Sequence, residues 1–460
     1  MLFTTIPFLV FLVCVLVLFY ALPKGARRYL LLGASLFFYA SWNAKYLILL
    51  LGLITIDYAA AIWIHRRAGW HRRMALLVSL CANVGLLGWF KYANFVRTTW
   101  LSLIHPGAAV QPLDILLPLG ISFHTFQSIS YVIDVYRGEQ AVITSYPDYA
   151  LFVSFFPQLV AGPIVRAREF FLDYFNWRRP TSAEWQQGVT LILTGYAKKL
   201  IFADRFALAA NRYFDNPAGM PGFVGAWTAA IAFGLQIFFD FSGYTDIAIG
   251  IALLFGFHFP ENFRRPYLSA TVTEFWRRWH MTLSAWLRDY IYIPLGGNRK
   301  GRAATYLNLM LTMLIGGLWH GANWNFIIWG GYHGAALAVE RAVWGRKEQV
   351  GFRRILLTPF TFLLVCVGWV FFRAPSLHSA VYVVGEMFSR QRGKSVLDPV
   401  LWGLAGFALA AALAEEHFAA LSRLAQAPAK WRTVCFVVTL LAIELFSASD
   451  RSIPFVYFQF

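Results

Sequence analysis

The sequence predicts an all-α polytopic membrane protein, with roughly ten to twelve transmembrane helices plus re-entrant and interfacial helices. Three observations carry that expectation. Of 460 residues, 58% are hydrophobic and only 14% are charged, against about 25% charged in a typical soluble domain. Apolar runs long enough to cross a bilayer, on the order of 20 residues, recur from one end to the other. Glycine and proline interrupt the middle runs, a pattern tolerated in membranes where protein or a water-filled cavity satisfies the freed backbone groups.

The first run, Leu2 to Leu22, lacks a basic start and is followed by no small-residue cleavage site, so it reads as an uncleaved anchor. Runs at Tyr29 to Tyr39, Leu47 to Ile64 and Met74 to Phe90 read as ordinary spans. Lys24, Arg27 and Arg28 follow the first run, and Arg66, Arg67, Arg72 and Arg73 follow the third; only Lys45 marks the turn between the second and third. The positive-inside rule then puts the N-terminus outside and the loop HRRAGWHRR in the cytoplasm. The same distribution accounts for a net charge of +17 without invoking nucleic acid.

From Leu116 onward the runs become irregular. LPLGISFHTFQSISYVIDVYRG carries His124, Gln127 and Asp134, and LFVSFFPQLVAGPIVR carries Pro157, Gly162 and Pro163. This stretch reads either as the wall of a cavity or as a kinked helix. Further spans are expected at Gly188 to Leu200, Phe223 to Phe239, Ile247 to Phe257, Ala303 to Trp319, Asn325 to Val343, Ile355 to Phe372, Val400 to Leu413 and Val434 to Phe446. There is no Ser/Gly-rich linker and no internal repeat, so one integral membrane domain over residues 1–460 is expected, with its motifs between about 112 and 345. Cys14, Cys81, Cys366 and Cys435 lie inside apolar runs without a CxxC; buried, inert thiols are expected, and no thiolate cluster supports a metal site.

Polar side chains inside these runs mark where function is to be sought, because burying an ionisable group at membrane depth is costly. Gln236, Asp240 and Tyr244 recur every four residues and share a helix face. They form either a structural network or part of a substrate site. Around His280, advancing about 100° per residue from Phe275 gathers Phe275, Trp276, Trp279, Leu283, Trp286, Leu287 and Tyr290 in one apolar arc, with Arg277, Arg278, Arg288 and Asp289 opposite. That is an interfacial amphipathic helix, expected to close the cytoplasmic mouth of the cavity. His280 lies at the edge of the arc, free to touch headgroups or to turn inward. Pro294 and the following glycines end the element.

His320 closes the run AATYLNLMLTMLIGGLWHGANW. A buried histidine can serve as general base, proton relay, metal ligand or hydrogen-bond donor. Metal binding lacks convergent ligands: His320 and His333 stand 13 residues apart with no HExxH and no cysteine partner. No nucleophile elbow, phosphate loop or dinucleotide fingerprint is present. Carboxylates Asp240 and Asp246 leave a proton-coupled transporter open. The enzymatic reading is a neutral His320 imidazole that takes a proton from a hydroxyl attacking an acyl carbonyl, in a pocket shaped by Trp319, Asn323 and Trp324.

At these residues the chain resembles the membrane-bound O-acyltransferase family, in its bacterial alginate O-acetyltransferase-like branch. FWRRWHMTLSAWLRDYIYIPLGGNRKG and GGLWHGANWNFIIWGGYHG carry the resemblance, and LPLGISFHTFQSISYVIDVYRG, FFPQLVAGPI and FGLQIFFDFSGYTDIAIGIALLFGF match in order; it covers about residues 1 to 375. The resemblance implies helices around a central tunnel, with His320 as the family's characteristic histidine and His280 as its second catalytic-motif histidine. It implies acyl transfer from a cytoplasmic thioester, acetyl-CoA, to a hydroxyl reached from outside, with no bound cofactor and no metal. The acceptor would be an exported polysaccharide or a periplasmic partner protein at the bacterial inner membrane. Arg277, Arg278, Arg299, Lys300 and Arg302 would attract the donor's phosphates, unless their position reflects topology alone. A polysaccharide or lipid flippase without acyl chemistry, a scaffold for periplasmic enzymes, and D-alanyl transfer from a carrier protein are the alternatives. The D-alanyl branch looks less like DYIYIPLGGNRKG.

Overall fold

A computed structural model of the protein describes residues 1, 3–105, 111–159, 162–345, 349–447 and 454–456. Among the described residues the regular structure is helical and contains no strand. Five stretches of the described residues are long and apolar enough to cross a membrane: Lys24–Arg66, Gly69–Ile104, Phe223–Leu254, Phe352–Arg373 and Pro399–Phe418. The chain groups into two compact units, each discontinuous: Met1–Val189 with Ala248–Pro260, and Thr190–Ile247 with Glu261–Phe460.

The first unit holds α1 (Ile6–Ala21), α2 (Lys24–Arg66), α3 (Gly69–Leu87), α4 (Ala93–Ile104), α5 (Ile121–Arg137), α6 (Tyr146–Ser154), α7 (Phe156–Leu159), α8 (Ala167–Phe175) and the start of α9 (Ser182–Ala197). The runs Tyr29 to Tyr39 and Leu47 to Ile64 fuse into α2, broken only by a kink at Asn43 (φ −160°, ψ 110°). Phenyl rings build the core: Phe8 lies 6.4 Å from Phe156, Phe156 5.9 Å from Phe255, and Phe155 5.0 Å from Phe257. One carboxylate is buried in α2, and burial of a charge requires partners; Ser79 Oγ donates to Asp57 at 2.6 Å and Asn83 Nδ2 at 2.8 Å.

The segment expected to be irregular is so only at its entries. Residues 111–118 carry no helix, and the chain turns into α5 at Gly120 (φ 68°), where an added Cβ would stand 2.3 Å from the Leu159 carbonyl oxygen. Only glycine fits there, on both conformational and steric grounds. His124, Gln127 and Asp134 are then buried along a regular helix. Residues 160–161 of the second irregular segment lie outside the described residues. Beyond Pro163 the chain stays non-helical to α8.

The second unit holds the rest of α9, then α10 (Asp204–Phe214), most of α11 (Phe223–Leu254), α12 (Val272–Arg278), α13 (Met281–Leu287), α14 (Gly301–His320), α15 (Trp324–Trp344), α16 (Phe352–Arg373), α17 (Leu377–Met387), α18 (Pro399–Phe418), α19 (Ala420–Gln426) and α20 (Ala429–Phe446). The runs Phe223 to Phe239 and Ile247 to Phe257 are largely one helix, α11. Single-turn π segments follow α3, α9 and α13, at Gly88–Tyr92, Lys198–Ala203 and Arg288–Tyr292.

Glycine dictates how α14 meets α15. A Cβ on Gly317 would lie 2.2 Å from the Phe326 carbonyl oxygen, and one on Gly330 would lie 2.3 Å from that of Met313. The two backbones touch, as small residues allow in membrane helices. By contrast α18 buries only Leu401 and α20 buries nothing, so their apolar faces are exposed, as lipid contact requires. Cys14 and Cys81 are exposed and Cys366 is buried, so the expectation of uniformly buried thiols is corrected: two of them lie on outward faces of spans.

Two outcomes test this packing. Gly330→Val should lower stability by at least about 2 kcal/mol through forced separation of backbones, seen as a depressed melting temperature in detergent. Gly33→Val, at a position with nothing within 4 Å of the added Cβ, serves as the neutral control. Equal melting of the two variants would refute the close crossing. A second test concerns His258, outside the spans. Its Nδ1 lies 3.1 Å from Asp173 and its Nε2 3.0 Å from Glu184. Partial burial pulls its pKa down, but the two carboxylates outweigh that and raise it above 6.5. Its contribution to stability is therefore complete below the unfolded value near 6.5 and lost as pH rises through the higher folded value. Melting curves of wild type and His258→Asn should converge between pH 6 and pH 9; a gap that widens with pH contradicts the assignment.

Candidate active site

His320 is the last residue of α14, 5% exposed. The α14–α15 contact sets its place, because α15 starts four residues later and returns directly alongside. The imidazole is boxed by aromatic rings: Trp319 at 4.9 Å, Trp329 edge-on at 5.1 Å and Phe372 at 5.2 Å. Trp329 also lies 5.0 Å from His333, which is fully buried and meets Trp276 edge-on at 5.2 Å. Both nitrogens of His333 lack a hydrogen-bond partner among the described residues.

His280 occupies a different setting from the one its helical pattern predicts. The expected continuous amphipathic helix is broken: α12 ends at Arg278, α13 begins at Met281, and His280 between them is left-handed (φ 42°, ψ 55°). Six of the seven apolar-arc residues are buried nonetheless, Trp276 being intermediate. The break turns His280 into the protein, where it is fully buried, so the headgroup-facing alternative is excluded. Its ring stands edge-on to Phe241 at 4.7 Å and 6.1 Å from Trp319. Trp319 thus neighbours both histidines, and the pair the sequence singled out is brought to one place.

The left-handed residue is held from outside its own helices. The Asn262 carbonyl accepts from Met281 N at 2.9 Å, and Arg264 N donates to the Arg278 carbonyl at 2.8 Å. Asn262 Oδ1 lies 3.1 Å from His280 Nδ1 and accepts from Thr282 N and Thr282 Oγ1 at 3.2 and 3.0 Å. Asn262 had no signal in the sequence, because a loop asparagine is unremarkable until its partner is known.

On the α11 face, Asp240 lies in a buried ion network. Lys199 Nζ bridges Asp240 at 2.8 Å and Asp204 at 2.7 Å, with all three side chains at most 7% exposed. The second Asp240 oxygen accepts the Val456 N–H at 2.6 Å, and Phe455 packs 4.5 Å from Tyr244. Lys198 pairs with Asp246 at 2.6 Å. Two consecutive lysines at the π segment thus reach three carboxylates, two of them on α11. Two lysines at the end of an apolar run, opposite two aspartates in another, were the signal available for this network. Gln236 is buried on the same helix.

Other candidates have separate duties. Asn323 caps α15, its side chain accepting from Asn325 N at 3.0 Å, and Trp324 is 50% exposed. Of the proposed phosphate-binding cations, Arg277, Arg299, Lys300 and Arg302 are exposed, whereas Arg278 is engaged with Glu274 at 2.9 Å and Glu416 at 3.0 Å.

The profile of the membrane-bound O-acyltransferase family, MBOAT, matches residues 68–381, a range that includes both histidines. The chain is 46% identical over 399 residues to a probable alginate O-acetylase of Pseudomonas putida, across 85% of this chain and 80% of that protein. It is 42% identical to a peptidoglycan O-acetyltransferase of Helicobacter pylori, across 79% and 74% of the two chains. A teichoic acid D-alanyltransferase of Bacillus subtilis is 29% identical, across 62% and 75%.

The buried ion network yields a stability test. Lys199→Met strands two carboxylates in the interior and should cost about 3–5 kcal/mol, the usual penalty for breaking a buried pair. Adding Asp240→Asn should recover part of that loss. A double-mutant cycle on unfolding in detergent reads the coupling; strictly additive effects would mean that the two side chains do not interact.

Proposed function

The chain belongs to the membrane-bound O-acyltransferase family, and we propose that it moves an acetyl group from cytoplasmic acetyl-CoA to a hydroxyl on the outer side of the bacterial inner membrane. The observation that carries this reading is the convergence of His320 and His280 on Trp319 in an otherwise apolar interior. The acceptor is an exported polysaccharide or a periplasmic partner protein that passes the acetyl group on. A glycan acceptor is supported by the two most similar relatives quoted above, named for alginate and peptidoglycan O-acetylation. D-Alanyl transfer is the less favoured reading, because the relative named for it is 29% identical against 46%.

In this reading ten to twelve spans surround a tunnel open to both compartments, and donor and acceptor meet inside it without either crossing the membrane. His320 acts as general base. Its imidazole takes the proton of the acceptor hydroxyl as that oxygen attacks the thioester carbonyl. The tetrahedral intermediate collapses with cleavage of the carbon–sulfur bond. The proton returns from the imidazolium to the departing thiolate, leaving an acetyl ester and free thiol. His280 orients the donor or supports His320. Exposed Arg277, Arg299 and Lys300 hold the donor's phosphates at the cytoplasmic mouth, a role from which Arg278 is withdrawn by its ion pairs.

Purified protein in nanodiscs with labelled acetyl-CoA tests the reading. Wild type should cleave the thioester and pass label to an added glycan or partner protein. His320→Ala should slow this by at least about 100-fold, the usual contribution of a general acid–base group. A flippase or scaffold would leave thioester cleavage absent in wild type and unaltered by the substitution.

A further inference from the structure

We propose that Asn262 is a positioning residue that locks His280 in the tautomer with its proton on Nδ1, so that Nε2 presents a lone pair to the reaction. The orientation of the Asn262 carboxamide follows from its surroundings. A main-chain N–H can only donate, and the Thr282 N–H faces Oδ1 at 3.2 Å. The atom there is therefore the oxygen, not the amide nitrogen. A carbonyl oxygen only accepts, so His280 Nδ1, 3.1 Å from the same atom, must carry a hydrogen. A neutral imidazole has one N–H, which leaves Nε2 as the acceptor.

Three features make the lock rigid. Asn262 and His280 are both fully buried. The Asn262 main chain accepts from Met281 N while its side chain meets the His280 ring, so one residue holds both the ring and the backbone that follows it. His280 is left-handed, a conformation that non-glycine residues hold only when their surroundings impose it.

This assignment rests on the reading of His280 as part of the active site, and it narrows that reading. With its lone pair on Nε2, neutral His280 cannot donate a hydrogen bond from that atom to a developing oxyanion. It can accept one from the donor's amide N–H or from the acceptor hydroxyl, or take up a proton. Asn262 carries no charge, so it fixes the tautomer without the strong stabilisation of imidazolium that a carboxylate would add.

The test begins without turnover. Protein labelled with 15N at its ten histidines is placed in nanodiscs, and the His280 signals are identified by their loss in His280→Gln. Wild type at neutral pH should show a protonated-type Nδ1 shift and a lone-pair-type Nε2 shift. The reverse pattern overturns the proposal. Asn262→Ala should mix the two tautomers and lower kcat on the order of tenfold or more, with the KM for acetyl-CoA little changed; an unmixed tautomer in that variant also overturns it. Should His280→Gln retain full acetyl transfer while the tautomer result stands, the role of His280 in catalysis falls and the lock remains a structural fact.

Discussion

The contact of α14 with α15 is the constraint on which the site depends. Gly317 against the Phe326 carbonyl and Gly330 against the Met313 carbonyl leave no room for a single methyl group. Water supplies no hydrophobic drive between helices inside a membrane, so close backbone packing must hold them together. That packing brings Trp329 of α15 beside His320 at the end of α14. Trp319, its neighbour in sequence, faces the ring of His280. The glycines of GGLWHG and WGGYHG therefore do for this site what an apolar core does for a soluble one.

Polar groups in the second unit obey the rule that burial demands partners. Lys199 lies between Asp204 and Asp240, Lys198 meets Asp246, and Arg278 joins Glu274 to Glu416. The histidines are treated differently. They sit among tryptophan and phenylalanine rings.

His280 shows how a sound local pattern can mislead. The apolar arc from Phe275 to Tyr290 is real, and most of it is buried. Yet the arc was computed for one straight helix, and the chain makes two. The break costs backbone strain at His280, offset by the hydrogen bonds of Asn262 and Arg264 to its flanks. Nothing in residues 275 to 290 encodes that break, because the groups that stabilise it lie some 15 residues upstream in a loop.

What the amino-acid order settled by itself was the membrane setting, the helical class and the family, and it singled out two histidines that the fold brings near one tryptophan. Hydropathy and the cost of burying an ionisable group act residue by residue, so a linear reading captures them. The tertiary structure alone decided that Asp240 belongs to Lys199, that Arg278 is already bound to carboxylates, and that an asparagine selects the tautomer of His280. Each of these is a contact between side chains far apart along the chain, and hydrogen-bond partnership depends on distance in space, which no periodicity records.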